Sequence, residues 1–379
     1  MADSEHISMD DILYIDKLHS ERHVFRISWK MTNSCPYSCS YCYMHDAVEK
    51  ARICRDDPAQ EDAEEIASHF DEMIEKLSGK GELIQLHIIG GEVSQFDLVR
   101  VIGKIRSARL RQIIVATNLY RNEDYWRRLK DYCAGRGIKV KYIASFHLEM
   151  LRTEEERKRF IDKAMLLGAQ VKAVVNDSNL KEYLPYFSRL ASAGCEIEIT
   201  VERQKENSCR GLSDENQRIV DGIRHYQFAI RKEKIQEYRP YYIVTLKDGR
   251  KISYSSNIAL IDSIKEGALD PTGFWCTAGM HNVRINKSGE LLRSACRLCS
   301  MYFKNGNIRN PESYKKITEP IVCKTTEAGK DHKYLTKYCT CFNNTSMCRI
   351  GYNPETGAYD KDCAVEIPDY HKMRYGGSE

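Results

Sequence analysis

Between Val24 and Val201 the chain alternates short apolar runs with amphipathic stretches, and this alternation constrains the fold more than any other feature. Val24–Met31, Leu83–Ile89, Gln112–Thr117, Lys139–Phe146, Gln170–Val175 and Glu196–Val201 read as strands. Ile66, Phe70, Met73, Ile74 and Leu77 recur at helical spacing and predict a helix over Glu61–Leu77, stopped by Gly79 and Gly81. Further helices are expected over Phe96–Ala108, Glu123–Ala134, Glu154–Leu167 and Lys181–Ala193. Strands alternating with helices in this way predict a parallel α/β sheet with right-handed crossovers. A doubly wound sheet and a partial barrel both satisfy the pattern, and both collect functional groups at the C-terminal ends of the strands.

The pattern breaks after Val201. Residues 212–236 read as one charged helix. Tyr241–Thr245 and Lys251–Tyr254 flank Lys247-Asp248-Gly249-Arg250, a hairpin turn signal. A second hairpin is expected over His281–Ile285 and Glu290–Arg293, turning at Lys287-Ser288-Gly289. Beyond Cys296 the sequence is rich in turns and lacks periodicity, so something other than a large core must hold it.

Lys and Arg total 58 against 54 Asp and Glu, a net charge of only +4, which argues against a dedicated nucleic-acid or membrane-surface protein. No apolar run approaches the roughly 20 residues of a membrane span. The polar, acidic stretch Met1–Asp11 is not a signal peptide. A cytoplasmic, reducing location is therefore expected, where disulfides are rare. The 15 cysteines then read as metal ligands or catalytic thiols. Cys54, Cys133, Cys195 and Cys209 are scattered singly and suit buried apolar positions. The others fall into a tight group at Cys35, Cys39 and Cys42 and a crowd at Cys276, Cys296, Cys299, Cys323, Cys339, Cys341, Cys348 and Cys363. Packing does not call for such spacing.

Cys35-Pro-Tyr-Ser-Cys39-Ser-Tyr-Cys42 follows the first strand directly. Three thiolates on one short loop can reach three corners of a cubane iron–sulfur cluster, leaving one iron open to an outside ligand. A zinc site completed by His45 is the competing reading, although zinc sites more often use C-x2-C pairs. The second strand ends in Gly90-Gly91-Glu92, where two glycines allow a close approach to the backbone and the carboxylate can accept from an ammonium group.

Together these residues resemble the radical S-adenosylmethionine (radical SAM) superfamily. Cys35, Cys39 and Cys42, with Tyr41 before the last cysteine, match its cluster motif, and Gly90-Gly91-Glu92 matches its segment for the methionine amino group. Thr117-Asn118 is similar to the family's Thr-Asn-Gly with Leu119 in place of glycine, and Ser145–His147 resembles a segment that contacts the ribose or carboxylate of the cofactor. The resemblance implies a partial (β/α)6 TIM barrel over residues 24–205, a [4Fe–4S] cluster and S-adenosylmethionine as cofactors, and an electron donor such as flavodoxin or ferredoxin. It also implies reductive cleavage of S-adenosylmethionine to a 5′-deoxyadenosyl radical that abstracts a substrate hydrogen.

The cysteines after Phe274-Trp275-Cys276 resemble a SPASM or Twitch extension, which binds auxiliary [4Fe–4S] clusters, although the usual SPASM run C-x2-C-x5-C-x3-C is absent. One auxiliary cluster is expected, on Cys276 and Cys296 with further ligands from Cys323, Cys339 and Cys341; a structural zinc knot is the competing reading. The expected organisation is an N-terminal extension (1–23), the barrel (24–205), a linking helix and hairpin (206–270) and a small cysteine-rich α+β domain (271–379).

Other residues say less. Glu202 and Arg203 fall at the end of the sixth strand and are candidates for substrate binding, or charges that cap a strand end in solvent. His147 is a candidate proton carrier or a packed histidine. No catalytic side chain is singled out. The resemblance leaves three functions open: modification of a ribosomally made peptide or protein side chain by crosslinking, oxidation or epimerisation; oxidation or rearrangement of a sugar, aminocyclitol or nucleoside; and a non-catalytic Fe–S or zinc protein. Only Met1–His23 precede the barrel, too little for a fused leader-peptide recognition domain.

Overall fold

The computed structural model describes residues 6–17, 24–42, 44–54, 57–79, 82–202, 212–234 and 242–254, and beyond these the shorter pieces 260, 263–265, 274–276, 282–293, 306–314, 317, 321–322, 347–349, 352–353 and 358–359. Cys209, Arg203, Cys296, Cys323, Cys339 and Cys341 lie outside the described residues.

The chain opens with β1 (Ile12–Lys17), then enters β2 (Val24–Thr32), α1 (His45–Cys54), α2 (Gln60–Ser68), α3 (Phe70–Leu77) and β3 (Leu83–Gly90). It continues through α4 (Leu98–Gly103), β4 (Leu110–Thr117), α5 (Glu123–Gly135), β5 (Lys139–Phe146), α6 (Glu154–Leu167), β6 (Gln170–Val175), α7 (Leu180–Ser192), β7 (Ile197–Val201) and α8 (Asp214–Lys234). Strands β2 to β7 pair in sequential order, every neighbour parallel. Along each strand alternate residues are buried. Phe25, Ile27 and Trp29 of β2 join one core with Ile84, Leu86 and Ile88 of β3 and with Ile66, Phe70, Leu129, Phe160 and Leu190 of the helices. Trp29 meets Phe70 with ring centroids 5.2 Å apart. Sequential order with the helices on one face decides between the two architectures the pattern allows: the sheet is wound in one direction and has the arrangement of a partial barrel.

Two helices differ from the periodic reading. The stretch expected as one helix over 61–77 divides at His69, whose amide bonds back to Ile66 and which serves as cap for both α2 and α3. The helix expected over 96–108 shortens to α4. Asp97 caps its start, accepting from the amides of Val99 and Arg100, and Asp71 of α3 captures the amides of Arg106 and Ser107 that a longer helix would need. Helix α1 carries no period strong enough to announce it.

Both expected hairpins form: β8 (Tyr242–Leu246) with β9 (Lys251–Tyr254), and β11 (Asn282–Ile285) with β12 (Glu290–Leu292), after β10 (Phe274–Cys276). The second hairpin continues the barrel's own sheet, because β11 runs parallel to β2 with Arg284 opposite Ser28, and β12 then pairs with β13 (Gly306–Asn307). β1 is a central strand of a second sheet with β8, β9, β10, β14 (Ile321–Val322) and β15 (Met347–Arg349). Its Ile12 and Ile15 share a separate core with Tyr242, Val244 and Phe274. The stretch read as an extension is thus built into the fold by residues more than 200 positions later, which no local pattern reveals. No described helix is long and apolar enough to cross a membrane.

Candidate functional site

Three segments converge where β2, β3 and β4 end: the loop Asn33–Cys42, the turn Gly90–Ser94, and the turn Thr117–Arg121. The approach of the first two is backbone to backbone. The Gly91 amide donates to Thr32 O at 3.0 Å and the Glu92 amide to Ser34 O at 2.8 Å. A Cβ at Gly90 would stand 2.5 Å from the Thr32 carbonyl oxygen, and one at Gly91 would overlap the Ser34 carbonyl. The close approach read from the two glycines is therefore used by the chain itself, and the neighbour it admits is the start of the cysteine loop.

Glu92 completes the junction. Its side chain is fully buried. One carboxylate oxygen accepts from the Ser94 amide at 2.9 Å and the Thr117 hydroxyl at 2.7 Å; the other accepts from the Asn118 amide at 2.6 Å. Burial pushes its pKa up while these donors pull it down. Three of its roughly four acceptor positions are taken by the protein, so the carboxylate braces β3 against β4, with one position left for the ligand ammonium that the sequence predicts.

Asn118 sits on that brace, 5% exposed, with its side-chain amide 3.7 Å from Cys35 Sγ. Its Oδ1 is buried and accepts no hydrogen bond. An orphaned acceptor beside the first cysteine is costly unless a donor arrives there, which fits the ammonium or hydroxyl of a bound cofactor. Leu119 follows in the left-handed region, φ 55°, and is buried. Lys163 of α6 reaches over this turn, donating to the carbonyls of Leu119 and Arg121.

Cys39 is buried, while Cys35 and Cys42 are half-buried. None of the three is in a disulfide. Burial pushes the Cys39 thiol up to about 12, with Glu149, Cys35 and Cys42 adding to the shift. A crowded, buried thiol that resists ionisation gains from a positive metal centre. Among the described residues no three His, Cys, Asp or Glu side chains gather closely enough to hold one metal ion; a cubane instead spreads its cysteine ligands over separate irons.

Two elements hold the loop. Asp57, beyond α1, accepts from the amides of Asn33 at 2.9 Å and Ser34 at 3.1 Å and from the Thr32 hydroxyl. Beyond β5, Glu149 accepts from the Ser40 amide at 3.0 Å, and His147 Nδ1 lies 2.9 Å from the Tyr41 hydroxyl with the rings stacked. Burial lowers His147 to about 4, so it is neutral at pH 7. Asp57 and Glu149 carry no sequence signal, because each contact spans a separation that no motif covers.

Of the residues singled out from sequence, Cys35, Cys39, Cys42, Tyr41, Gly90, Gly91, Glu92 and Asn118 meet at this junction. Ser145 is half-buried on the opposite face of β5 from the core, in register with Lys172. Glu202 receives the Asn176 side-chain amide at 2.6 Å. Cys276 lies in β10, its backbone opposite Ile321 and Met347. Cys133 and Cys195 are buried in the barrel core, as their scattered positions suggested.

Residues 29–176 match the model of the family described as the Radical SAM superfamily. No curated protein matches the chain. Among solved structures, the chain is similar to one described as native anSMEcpe with bound AdoMet, at 13% identity and a TM-score of 0.47, covering 93% of this chain and 95% of that one. It is also similar to native anSMEcpe with bound AdoMet and Kp18Cys peptide, at 14% identity and a TM-score of 0.47, with the same coverage.

Proposed function

We propose, from the radical SAM domain that this chain carries over residues 29–176, that the enzyme modifies a ribosomally made peptide or a protein side chain by radical chemistry. The family implies a [4Fe–4S] cluster and S-adenosylmethionine. When bound, these supply a 5′-deoxyadenosyl radical that takes a hydrogen atom from the substrate. Cys35, Cys39 and Cys42 would hold three irons. Asn118 Oδ1 would accept from the cofactor, the Gly90-Gly91-Glu92 segment would line the methionine end, and Tyr41 and Ser145 would border the nucleoside. Glu92, Asp57 and Glu149 keep these groups in one geometry.

The observation that supports the radical SAM part of this reading is the Asn118 side chain, which faces Cys35 with its amide nitrogen and leaves a buried acceptor open. A non-catalytic Fe–S or zinc protein is set aside, since the radical SAM domain marks an enzyme. A small metabolite as substrate is the second reading, favoured by the polar residues on the inner face of the barrel, among them Ser28, His87, Ser145 and Lys172.

One auxiliary [4Fe–4S] cluster on Cys276 and Cys296, with Cys323, Cys339 and Cys341, is part of the proposal. It is supported by the cysteine crowding and by β10, which carries Cys276 alongside β14, the strand that immediately precedes Cys323. An external flavodoxin or ferredoxin would deliver the electron, in the cytoplasm. The test is anaerobic reconstitution followed by dithionite and S-adenosylmethionine. Release of 5′-deoxyadenosine and methionine is expected, and its absence would refute the reading. Cys276→Ala is expected to keep uncoupled release but lose substrate turnover; full turnover would remove the auxiliary cluster from the mechanism.

A further inference from the structure

The turn after β4 carries the orphaned Asn118 acceptor, and its backbone has little reason of its own to stay in place. Leu119 sits in the left-handed region, φ 55°, which side-chain-bearing residues resist. On the sheet side, Glu92 accepts from the Asn118 amide, and the Thr117 hydroxyl accepts from the Leu119 amide at 2.9 Å. At the far end Arg121 donates from Nε to Ser94 O at 2.8 Å and from Nη2 to Gln95 O at 3.2 Å. These bonds use the amides of the turn and its arginine, and they leave the carbonyls of Leu119 and Arg121. One group takes both. The Lys163 ammonium of α6 donates to Leu119 O and, at 2.9 Å, to Arg121 O. Among the described residues neither carbonyl receives another donor.

A half-buried lysine usually extends its charge to water. Lys163 stands on α6 beside the core residues Phe160, Ile161 and Ala164, and it directs its ammonium inward to the turn. Among the described residues no carboxylate pairs with it. Burial and then Arg159 lower it to about 8 while Glu92 favours the charge, so at pH 7 it keeps its proton. Bonds from a charged donor to two carbonyls are stronger than neutral ones and offset the partial loss of water. The lysine and Leu119 are 44 positions apart, so no local motif contains the pair.

We propose that Lys163 is a positioning residue for cofactor binding: by clamping the Leu119 and Arg121 carbonyls it fixes the turn that holds Asn118 Oδ1 open beside Cys35. Lys163 acts through the turn and needs no contact with the ligand. Without the clamp, Leu119 is free to leave its left-handed conformation, and Asn118, one residue earlier, turns with it. The cofactor as the beneficiary rests on the radical SAM reading; the clamp on the turn does not.

The experiment has two readouts on the full-length chain at pH 7. The first is amide hydrogen exchange of the metal-free protein, comparing residues 117–121 with the interior of β4. The second is calorimetric binding of S-adenosylmethionine to anaerobically reconstituted enzyme, with iron content measured on the same sample. Lys163→Met is expected to speed exchange in the turn at least tenfold, leave β4 unchanged, and weaken S-adenosylmethionine at least tenfold at unchanged iron content. Lys163→Arg, which keeps the charge and the donors, is expected to stay within threefold of wild type in both. The matched control is Arg136→Met. Arg136 also donates to two carbonyls, Ile102 O at 3.0 Å and Ile105 O at 2.6 Å, but in the connection that leads into the start of β4. It is expected to leave the turn and the affinity as they are. Unchanged exchange or unchanged affinity in Lys163→Met overturns the proposal, as does an equal loss of affinity in Arg136→Met. If Lys163→Met melts early by circular dichroism, Lys163→Gln carries the comparison. Wild-type enzyme that holds its iron but binds no S-adenosylmethionine sinks the radical SAM reading, and exchange then decides the clamp alone. Tight binding by wild type and Lys163→Met alike sinks the inference and leaves that reading standing.

Discussion

The Glu92 carboxylate receives the backbone amide of Asn118 at 2.6 Å across the gap between β3 and β4, inside a region closed to solvent. With the Thr117 hydroxyl and the Ser94 amide, that bond fixes the turn that presents Asn118 to Cys35. Replacing Glu92 by Gln turns one acceptor oxygen into an NH2 group facing donors. A buried donor left unmatched costs about 1–3 kcal/mol, so Glu92→Gln is expected to lower unfolding free energy by about 2 kcal/mol in the metal-free protein. Thr117→Ser, which keeps the hydroxyl that donates to Glu92 and accepts from the Leu119 amide, should cost less. Denaturant titration of both variants checks the order; a Thr117→Ser loss larger than that of Glu92→Gln would contradict the brace.

How much of this junction could be seen in the sequence depends on the range of each contact. The six parallel strands were legible because each is a short apolar run closed by its own helix, and Cys35, Cys39 and Cys42 because they share one loop. Gly90, Gly91 and Glu92 were legible as a motif, but not as a brace, since their partners Thr32, Ser34 and Asn118 come from other strand ends. Asp57 and Glu149 were invisible because their partners in the loop lie far away in the chain. β1 reads from sequence only as part of an N-terminal extension because its partners, Tyr242 and Leu246, lie beyond the barrel.

Leu119 stands where the resemblance would place glycine, with φ 55°. A left-handed conformation costs a side-chain-bearing residue about 1–2 kcal/mol. Burying a leucine side chain returns about 1.5–3 kcal/mol, and Leu119 is 1% exposed. Burial wins, with the cavity left behind adding to the loss. Leu119→Gly is therefore expected to destabilise by about 1–2 kcal/mol although it relieves the backbone, and thermal melting of the two proteins decides it. A gain in stability would mean that strain outweighs packing at this turn.

The buried thiols separate structural from ligand cysteines. Cys39→Ala is expected to reduce iron and sulfide at the loop to near zero after reconstitution and to abolish 5′-deoxyadenosine release, because two thiolates cannot hold a cubane with one open corner. Cys133→Ala removes a buried sulfur in the core, 0% exposed, and should lose about 1–2 kcal/mol of stability while retaining its iron. Iron analysis together with electron paramagnetic resonance distinguishes the two. Equal iron loss in both variants would show that the loop is sensitive to general destabilisation and not to ligation.

His87 gives the metal-free protein a calculable response to acid. Its folded pKa of about 4 lies below the ordinary 6.5, first through burial and then through Lys172 on β6 and Arg284 on β11, which face it from either side. Above pH 6.5 the imidazole is neutral in both folded and unfolded chains and adds no pH dependence. As pH falls below 6.5 the unfolded chain takes up a proton that the folded chain refuses, so stability drops, and the drop is complete once pH has passed through about 4. At about 1.4 kcal/mol per pKa unit the loss is at most about 3 kcal/mol. His87→Gln, which cannot titrate, should show a shallower decline than wild type between pH 6.5 and 4. Denaturant unfolding at half-unit pH steps measures both curves. Parallel curves would show that the charge on His87 is accommodated in the folded barrel, and that Lys172 and Arg284 do not press on it.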